Sequence, residues 1–598
     1  MNSKTTGIWF ALAVVLFAFI FVFQHYFRPP ANTIQPILAG LRPQMVTSIQ
    51  VIPNGALEIR ADRTNNSWML TKPIVYPAQP AAIETLLTAL QNLAPATKIS
   101  AAEFGRENSD VEFGFVHPQT SLVIQAGNQR WQLDVGNKTA PGDQVYLRVV
   151  GVEGAFVADA GWLKLIPHAV NDWRSTALVE AGQNDFDSIL LTNGAEVVEF
   201  HRDTTNGLWR MTRPLQARAD SDRITDALQH LLTARVTQFV TDDPNADLTA
   251  FGLQPAGLDL WLGHGTNFTV GIYAGKSPAD DSTQIYAQRE GWNAVVTIPK
   301  ASLSEWDGTV NDFRDSHLLE LTAPVAEIEV RDGTNYYALQ RQGTNDWTIP
   351  GEKFPVDADN VQQFIEILAN LRIVDFVNSV VTAPDLPAYG LAAPRREITL
   401  LSSVGDTNAV IAQLLFGTNQ DDKVFVKRAD EDFVNAIAKT DFDRLPEADW
   451  EFRDRRIWNF SETNVVQITL HQNGETRQVI RTGANKWSLA PGSQGIINPP
   501  AIEETVHRLG QLAAYGWVGR DIANPEAYGL NTNNLQITVE LKNGEKLNVD
   551  FGQELPQLQT ALAATTLDGE RWAFVFPPIL YQFVETYLTI PASQGGVP

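Results

Sequence analysis

Cysteine is absent from all 598 residues. That excludes disulfides, thiolate metal centres, a cysteine nucleophile and a lipidated cysteine anchor. It leaves the compartment open, because a disulfide-free protein suits either side of a membrane. Positive charge is scarce as well: 45 Lys and Arg stand against 69 Asp and Glu, a formal net charge of -24. Residues 1–28 hold Lys4, Arg28 and no acid, so the remainder is more acidic still. A surface of that sign does not suit nucleic acid, since basic patches supply most of that affinity. The cationic run Arg453-Asp454-Arg455-Arg456 reads as a solvated end of a repeat.

Motifs that carry chemistry are missing too. The nine histidines are His25, His117, His168, His201, His230, His264, His317, His471 and His507. No two have the i, i+4 spacing of a zinc helix, and none recurs at the repeat period described below. Gly263-His264-Gly265 lacks the later glycine and lysine of a phosphate loop, and there is no Gly-x-Ser-x-Gly elbow. The acidic pairs Asp242-Asp243, Asp280-Asp281 and Asp421-Asp422 lack calcium-loop spacing and read as exposed turns. Asn137-Lys138-Thr139 and Asn267-Phe268-Thr269 match glycosylation acceptors, a triplet common by chance. Paired carboxylates are the hardest enzyme class to exclude, because their spacing is set by the fold. No residue is assigned a catalytic, cofactor-binding or metal-ligating role.

What is present begins with an apolar segment, unbroken from residue 8 to residue 23. Extended to residues 7–27 it reaches the roughly 20 residues that a bilayer core needs, with Trp9 and Tyr26 where interfacial aromatics sit. A signal peptide has a shorter apolar region and a small-residue cleavage site; here Arg28-Pro29-Pro30 follows. Residues 1–28 are therefore expected to be an uncleaved transmembrane anchor, and the proline-rich residues 29–45 a linker. Lys4 before the span and Arg28 and Arg42 after it do not decide orientation. A large acidic domain behind an N-terminal anchor is most often exported, so the expectation is a single-pass inner-membrane protein with its C-terminal region in the periplasm.

The rest is a repeat. Phe113-Gly114-Phe115, Phe251-Gly252-Leu253, Tyr389-Gly390-Leu391 and Tyr528-Gly529-Leu530 place their glycines 138, 138 and 139 residues apart. Each glycine is expected in a backbone conformation closed to other residues. Asn54-Gly55, Asn193-Gly194, Asp332-Gly333 and Asn473-Gly474 keep the step and suit two-residue hairpins with both turn positions at positive φ. Trp68, Trp209, Trp347 and Trp487 follow as expected core residues, trailed by Pro73, Pro214, Pro350 and Pro491. A closing motif reads Asn171-Asp172-Trp173-Arg174, Asn311-Asp312-Phe313-Arg314 and Trp450-Glu451-Phe452-Arg453. Its arginines, beside Asp172, Asp312 and Glu451, are read as ion pairs fixing one unit against the next.

A period this long makes each unit a small domain. The expected repeats are 46–184, 185–323, 324–463 and 464–598. Ile49 and Val51 alternate as in a strand, and Trp68 closes the returning strand. An amphipathic helix follows, with Leu86, Leu87, Leu90 and Leu93 on one face. Its counterparts carry Ile224, Leu228 and Leu231; Val361, Phe364, Ile365, Leu368 and Leu371; and Ile502, Val506 and Leu509. Asp357 or Asp359 can cap the third helix, and Asn498-Pro499-Pro500 starts the fourth. About four strands and a short helix come next. The fold class expected is α+β with a mostly antiparallel sheet.

The N-terminal anchor, the Trp-x-x-x-x-Pro step from Trp68 to Pro73 and Trp209 to Pro214, the Leu-rich helix and the Tyr-Gly-Leu turn resemble the bacterial family called domain of unknown function 4340. The resemblance covers nearly all of residues 46–590. Phe115 replaces Leu in the first repeat, and the fourth lacks the Asp-Phe-Arg tail, as end repeats often depart from the pattern. The family has no assigned catalytic residues to carry over. The resemblance implies a membrane-anchored envelope protein, accessory to an ABC transporter of the gliding-motility type. The expected function is a non-enzymatic array of four domains that binds protein partners. The alternatives are a ligand or polysaccharide binder using clefts between repeats, and a hydrolase with carboxylate catalysis.

Overall fold

The computed structural model describes residues 3–26, 35–54, 57–65, 67–106, 108–180, 185–321, 323–404, 407–522, 524–530 and 534–589. The chain divides into two compact units, Met1–Arg314 and Asp315–Pro598, with two antiparallel sheets in each. Helix α1 spans Ser3–Tyr26, with side chains described from residue 9 to residue 22. Those residues rise about 20 Å against the ~30 Å of a bilayer core. Among the described residues no helix is long and apolar enough to cross a membrane.

The first sheet shows the plan. β1 (Ser48–Pro53), β2 (Ile59–Thr64), β3 (Ser67–Lys72) and the short β4 (Tyr76–Pro77) form a meander, followed by helix α2 (Pro80–Gln91). β5 (Thr97–Ile99), β6 (Thr120–Ala126), β7 (Gln129–Lys138), β8 (Gln144–Val149) and β9 (Ala155–Asp159) complete the sheet. The order across it is β4-β3-β2-β1-β6-β7-β8-β9-β5, so α2 carries the chain from one edge to the other. Nine strands at ~4.8 Å spacing make a sheet roughly 40 Å wide. A 12-residue helix spans only about 18 Å. The 3-10 turn Gly161–Leu165, with Trp162 buried, covers part of the remaining face. The other sheets start at Ser188, Glu327 and Val465 and pair their first strands in the same way.

Three expectations change. The helix is preceded by a three-stranded meander, with a short fourth strand in the first unit, and followed by five strands. Trp68 lies on the third strand because a second reversal intervenes; Asn65 and Asn485 make it at φ 50 and 55. The Asn-Gly and Asp-Gly turns also differ. Asn193 pairs with Glu196 and Asp332 with Asn335, so the turn residues are Gly194-Ala195 and Gly333-Thr334, with only the glycine at positive φ. Asn473-Gly474 alone has both positions positive, at φ 52 and 81; Gly55 lies outside the described residues. Lastly, the expected linker 29–45 is cut short. Residues 27–34 lie outside the described part, but Ile37, Leu38, Leu41 and Pro43 are buried in the first sheet's core. Prolines fix the backbone as extended, and that does not stop the apolar residues between them from docking.

The core follows the expected stripes. The expected helix faces are buried, and Trp68, Trp209, Trp347 and Trp487 keep 2%, 2%, 4% and 5% of their surface exposed. Asp220, Asp357 and Asn498 cap their helices by accepting from Arg223 N, Asp359 N and Ala501 N. Asp357, rather than Asp359, is the cap of the third helix. The indole N–H of Trp68 donates to Glu84 at 2.9 Å, and that of Trp487 to Glu503 at 2.7 Å. Directly across the strand pair from the four tryptophans stand Arg63, Arg202, Arg341 and Arg481. The guanidinium carbons of Arg63, Arg341 and Arg481 sit 4.6, 4.9 and 4.4 Å from the ring centroids.

Gly114, Gly252, Gly390 and Gly529 have φ of 77, 70, 70 and 68, as the aromatic-Gly-aliphatic turn requires. A second glycine lies under each turn. A Cβ on Gly136, Gly275 or Gly417 would stand 2.1 Å from the carbonyl oxygen of Phe113, Phe251 or Tyr389, and one on Gly552 2.3 Å from that of Tyr528. The turn thus rests on bare strand backbone.

Replacing Trp347 by Ala removes a buried indole and the surface on which Arg341 lies. The expected cost is about 3–5 kcal/mol, read by calorimetry as a lowered melting transition of the second unit. An unchanged transition would show that this tryptophan is not core.

Candidate functional site at the junctions between repeats

Each closing motif folds as a 3-10 turn: Val170–Asp172, Val310–Phe313 and Asp449–Phe452. Its acid serves that turn. Asp172 accepts the N–H groups of His168 and Ala169 at 2.7 and 2.9 Å. Asp312 accepts from Thr309 N and Oγ1 at 2.7 and 2.8 Å, and these bonds hold its carboxyl below the usual range. Glu451 accepts from Glu447 and Ala448 at 2.7 and 3.0 Å, while burial pushes its carboxyl up. Arg174 and Arg453 do form ion pairs that fix one repeat against the next, as expected, but with acids other than the neighbouring Asp172 and Glu451. The acids are engaged by backbone donors, and the arginines reach into the next repeat.

Arg174, 1% exposed, forks onto both carboxylate oxygens of Asp242, with Nη1 to Oδ2 at 3.0 Å. Its guanidinium carbon lies 4.2 Å from the ring centroid of Tyr76 and 3.8 Å from that of Phe239. Tyr76 belongs to β4 of its own repeat, and Phe239 to the strand Gln238–Thr241 of the next. In the second unit Arg453, 5% exposed, repeats the arrangement with Asp568 at 3.2 Å. The rings of Trp572, Phe354 and Trp517 lie 4.4, 5.5 and 5.7 Å from its guanidinium carbon. A planar cation between aromatic faces and a carboxylate loses water but keeps its electrostatic partners. Arg314 is also buried, with Nη1 donating to Asn311 at 3.4 Å.

The backbone joins the repeats at the same place. Ser175 N donates to Pro77 O at 2.9 Å, and Val236 N to Thr176 O at 2.7 Å, so successive connector residues bind the repeat behind and the repeat ahead. Asp454 N to Pro355 O at 2.8 Å and Ala514 N to Arg455 O at 2.7 Å do likewise in the second unit. In the first repeat Ile37 N donates to Leu93 O at 2.8 Å, where Leu178 N donates to Ala234 O at 3.3 Å in the second. On β5, Lys98 stands opposite Phe156 as Phe239 stands opposite Val296. A lysine thus occupies the aromatic position on the edge strand of the first sheet, where a charge discourages strand addition.

A cleft opens beside each arginine. That of the first unit holds about 310 Å³ between Pro73, Ile74, Val75 and Tyr76 on one side and Asp242, Gly291, Trp292, Asn293 and Ala294 on the other. Its counterpart in the second unit holds about 120 Å³. There Arg520 takes the place of Asp242 and Glu570 that of Trp292, as the matching strand pairs show. Arg520 binds Glu570 at 2.8 Å, Glu352 at 2.9 Å and Asp449 at 3.6 Å. Glu570 and Glu352 raise the Arg520 guanidinium's affinity for its proton, Arg520 holds Glu570 low, and burial beside Glu352 pushes Asp449 up. These carboxylates surround a fixed cation in a space smaller than the ~300 Å³ at which ligand pockets begin.

Polar groups also cluster away from the junctions. His201 Nδ1 lies 3.0 Å from Ser188 Oγ and its Nε2 2.9 Å from Glu199 Oε1, in the order of a hydrolytic triad. Yet Ser188 is fully buried and donates its hydroxyl to Asp187 at 2.8 Å, out of reach of any substrate. His230, His317 and His507 face Glu305, Asp315 and Glu462 at 3.0, 2.8 and 3.2 Å. The side chain of His25 lies outside the described residues. Among the described residues no cluster of three His, Asp or Glu could hold a metal ion. Asn137 donates to Glu112 O at 3.2 Å and so braces the Phe-Gly-Phe turn.

Two readings of exposed charge fail here. Asp242 was expected in an exposed turn and Arg453 in a solvated end, yet both are members of the junctions. No local signal marks them, because their partners lie 68 and 115 residues away. Arg63, Arg202, Arg341 and Arg481 step by 139, 139 and 140 and were legible as an anchor, but a search for apolar periodicity passes over cations. Replacing Asp242 by Asn should lower the first unit's unfolding free energy by an amount on the order of 1–3 kcal/mol, and its urea midpoint with it, because a buried guanidinium loses its counter-charge. Arg174→Lys should not be tolerated better, since it loses the fork and the stacking. Urea unfolding checks both; wild-type midpoints would contradict the role given to the pair.

The family model described as domain of unknown function (DUF4340) matches residues 68–207, 209–394 and 347–533. The matches start on Trp68, Trp209 and Trp347 and so carry the same period, cut at the tryptophan rather than at the first strand. No curated protein matches the chain. Among solved structures, the DNA polymerase III subunit beta of Pseudomonas aeruginosa shows 9% identity over 66% of this chain and 92% of its own, with a TM-score of 0.14. The DNA polymerase sliding clamp of Pseudomonas aeruginosa shows 10% identity over 67% and 92%, with a TM-score of 0.13. Likeness that slight carries no argument. On the family matches, which span most of its length, the chain belongs to the domain of unknown function family DUF4340.

Proposed function

We propose that this protein is a membrane-anchored, non-enzymatic scaffold of the cell envelope, with α1 in the inner membrane and the four sheets in the periplasm. The observation that carries the reading is α1 itself. Trp9, Phe10, Phe17, Phe19 and Phe21 are between 60% and 73% exposed, so the helix presents apolar surface all round. Its 24 residues make a rod of about 36 Å, longer than the ~30 Å of a bilayer core. Soluble proteins seldom leave so much contiguous apolar surface in water.

The four sheets suit binding more than catalysis. Their recurring polar groups are spent on joining one repeat to the next. The acidic charge favours partners with basic patches and makes that attraction salt-sensitive. A transporter or envelope complex of the kind the family resemblance implies is the partner proposed.

Fractionation tests the anchor. The full chain should stay in the membrane pellet after a high-salt wash and leave it only with detergent, whereas deletion of residues 3–26 should release it. Full-length protein washed off by salt would contradict the anchor. A cross-linking pull-down from membranes that recovers no other envelope protein would contradict the scaffold.

A further inference from the structure

We propose that the cleft between the first and second repeats binds an N-acetylated sugar residue, while its counterpart in the second unit does not. The proposal rests on the walls of the cleft, and its failure would leave the membrane anchor untouched. The two clefts share a backbone plan and differ in three respects. The first is the larger, about 310 against about 120 Å³, and only it falls within the range of small-molecule sites. The second is blocked from within, because Arg520 is tied to Glu352, Asp449 and Glu570 across it. The first presents an aromatic, Trp292, where the second presents Glu570.

The chemistry of the open cleft selects the ligand. Trp292 is half-buried and held by an edge contact with Tyr76 at 5.4 Å between centroids, which gives a fixed aromatic wall. The C–H face of a pyranose stacks on such a wall. Asn293, exposed at the rim, offers a planar amide that can both donate and accept. Asp242 has its carboxylate oxygens fixed by Arg174, with lone pairs remaining for hydroxyl donors. Opposite these lie Pro73, Ile74 and Val75, and Val75 is exposed. A plain hexose has nothing to place against that apolar wall, whereas an acetamido methyl does, and the acetamido N–H and C=O match the Asn293 amide. The cleft is formally neutral, since Asp242 is paired with Arg174, which suits an uncharged ligand.

The test is saturation-transfer NMR on the detergent-solubilised full chain, with the N-acetylglucosamine tetramer as probe and a glucose tetramer as control. The expected result is transfer to the acetyl methyl and ring protons of the first probe, and much weaker transfer to the second. Asn293→Ala should weaken binding roughly tenfold with an unchanged melting curve, and Trp292→Ala at least as much. Asn293 is at the surface, so its variant remains informative should Trp292→Ala fold poorly. No transfer to the wild-type protein, equal transfer to both tetramers, or undiminished binding by Asn293→Ala would each overturn the proposal. Displacement of the sugar by Glu570→Ala in the second unit would place the site elsewhere and overturn it as well.

Discussion

A guanidinium buried between aromatic rings must find its carboxylate or lose the energy of solvation with nothing in return. Arg174 and Arg453 are both in that position, and each finds its acid only in the repeat that follows. This constraint organises the rest of the junction. The acid beside each arginine in the sequence is occupied by its own 3-10 turn, which leaves the arginine to reach forward. One ring of the slot, Tyr76 or Phe354, comes from the repeat behind and one, Phe239 or Trp517, from a strand of the repeat ahead, so the slot exists only when both repeats are folded. The connector backbone adds hydrogen bonds in both directions. Consecutive repeats within a unit are therefore spliced, as in arrays whose stability depends on neighbours.

The two junctions also show how one backbone plan accepts different contents. Asp242 and Arg520 stand at corresponding positions with opposite charge. The first acts as the acceptor for the arginine behind it. The second draws Glu352, Asp449 and Glu570 around itself and leaves Asp568 to serve Arg453. Filling by charge narrows the second cleft, and an aromatic with small neighbours leaves the first open. The sheets share one strand order apart from the short fourth strand of the first unit, and the junctions differ in charge and in the space they leave.

Much of the fold was legible. The four glycine turns, the four tryptophans and the amphipathic helices are local patterns enforced by steric or apolar demands; the turns and helices stand where they were read, and the tryptophans are buried as read, one strand later. The missing strands were a failure of counting reversals. Asn65 and Asn485 mark a second hairpin as clearly as Asn-Gly marks the first. Residues 29–45 read as a linker because four prolines fall within them, yet Ile37 and Leu38 occupy the place that Leu178 and Val179 take one repeat later. The strand glycines under the turns were invisible, because a glycine in a strand gives no sign of what lies above it. The junctions were least legible, since an ion pair between residues 68 or 115 positions apart leaves no spacing to read.

A splice of this kind couples the two repeats inside each unit, a coupling that a string of independent beads would lack. Native-state hydrogen exchange on the full chain tests the splice most directly. The account predicts that the amides of Ser175 and Val236, and of Asp454 and Ala514, exchange only with the global unfolding of their unit, as slowly as the central strands on either side. Connector amides that exchange as fast as surface loops, while the flanking sheets stay protected, would show that the repeats fold independently and would contradict the central claim.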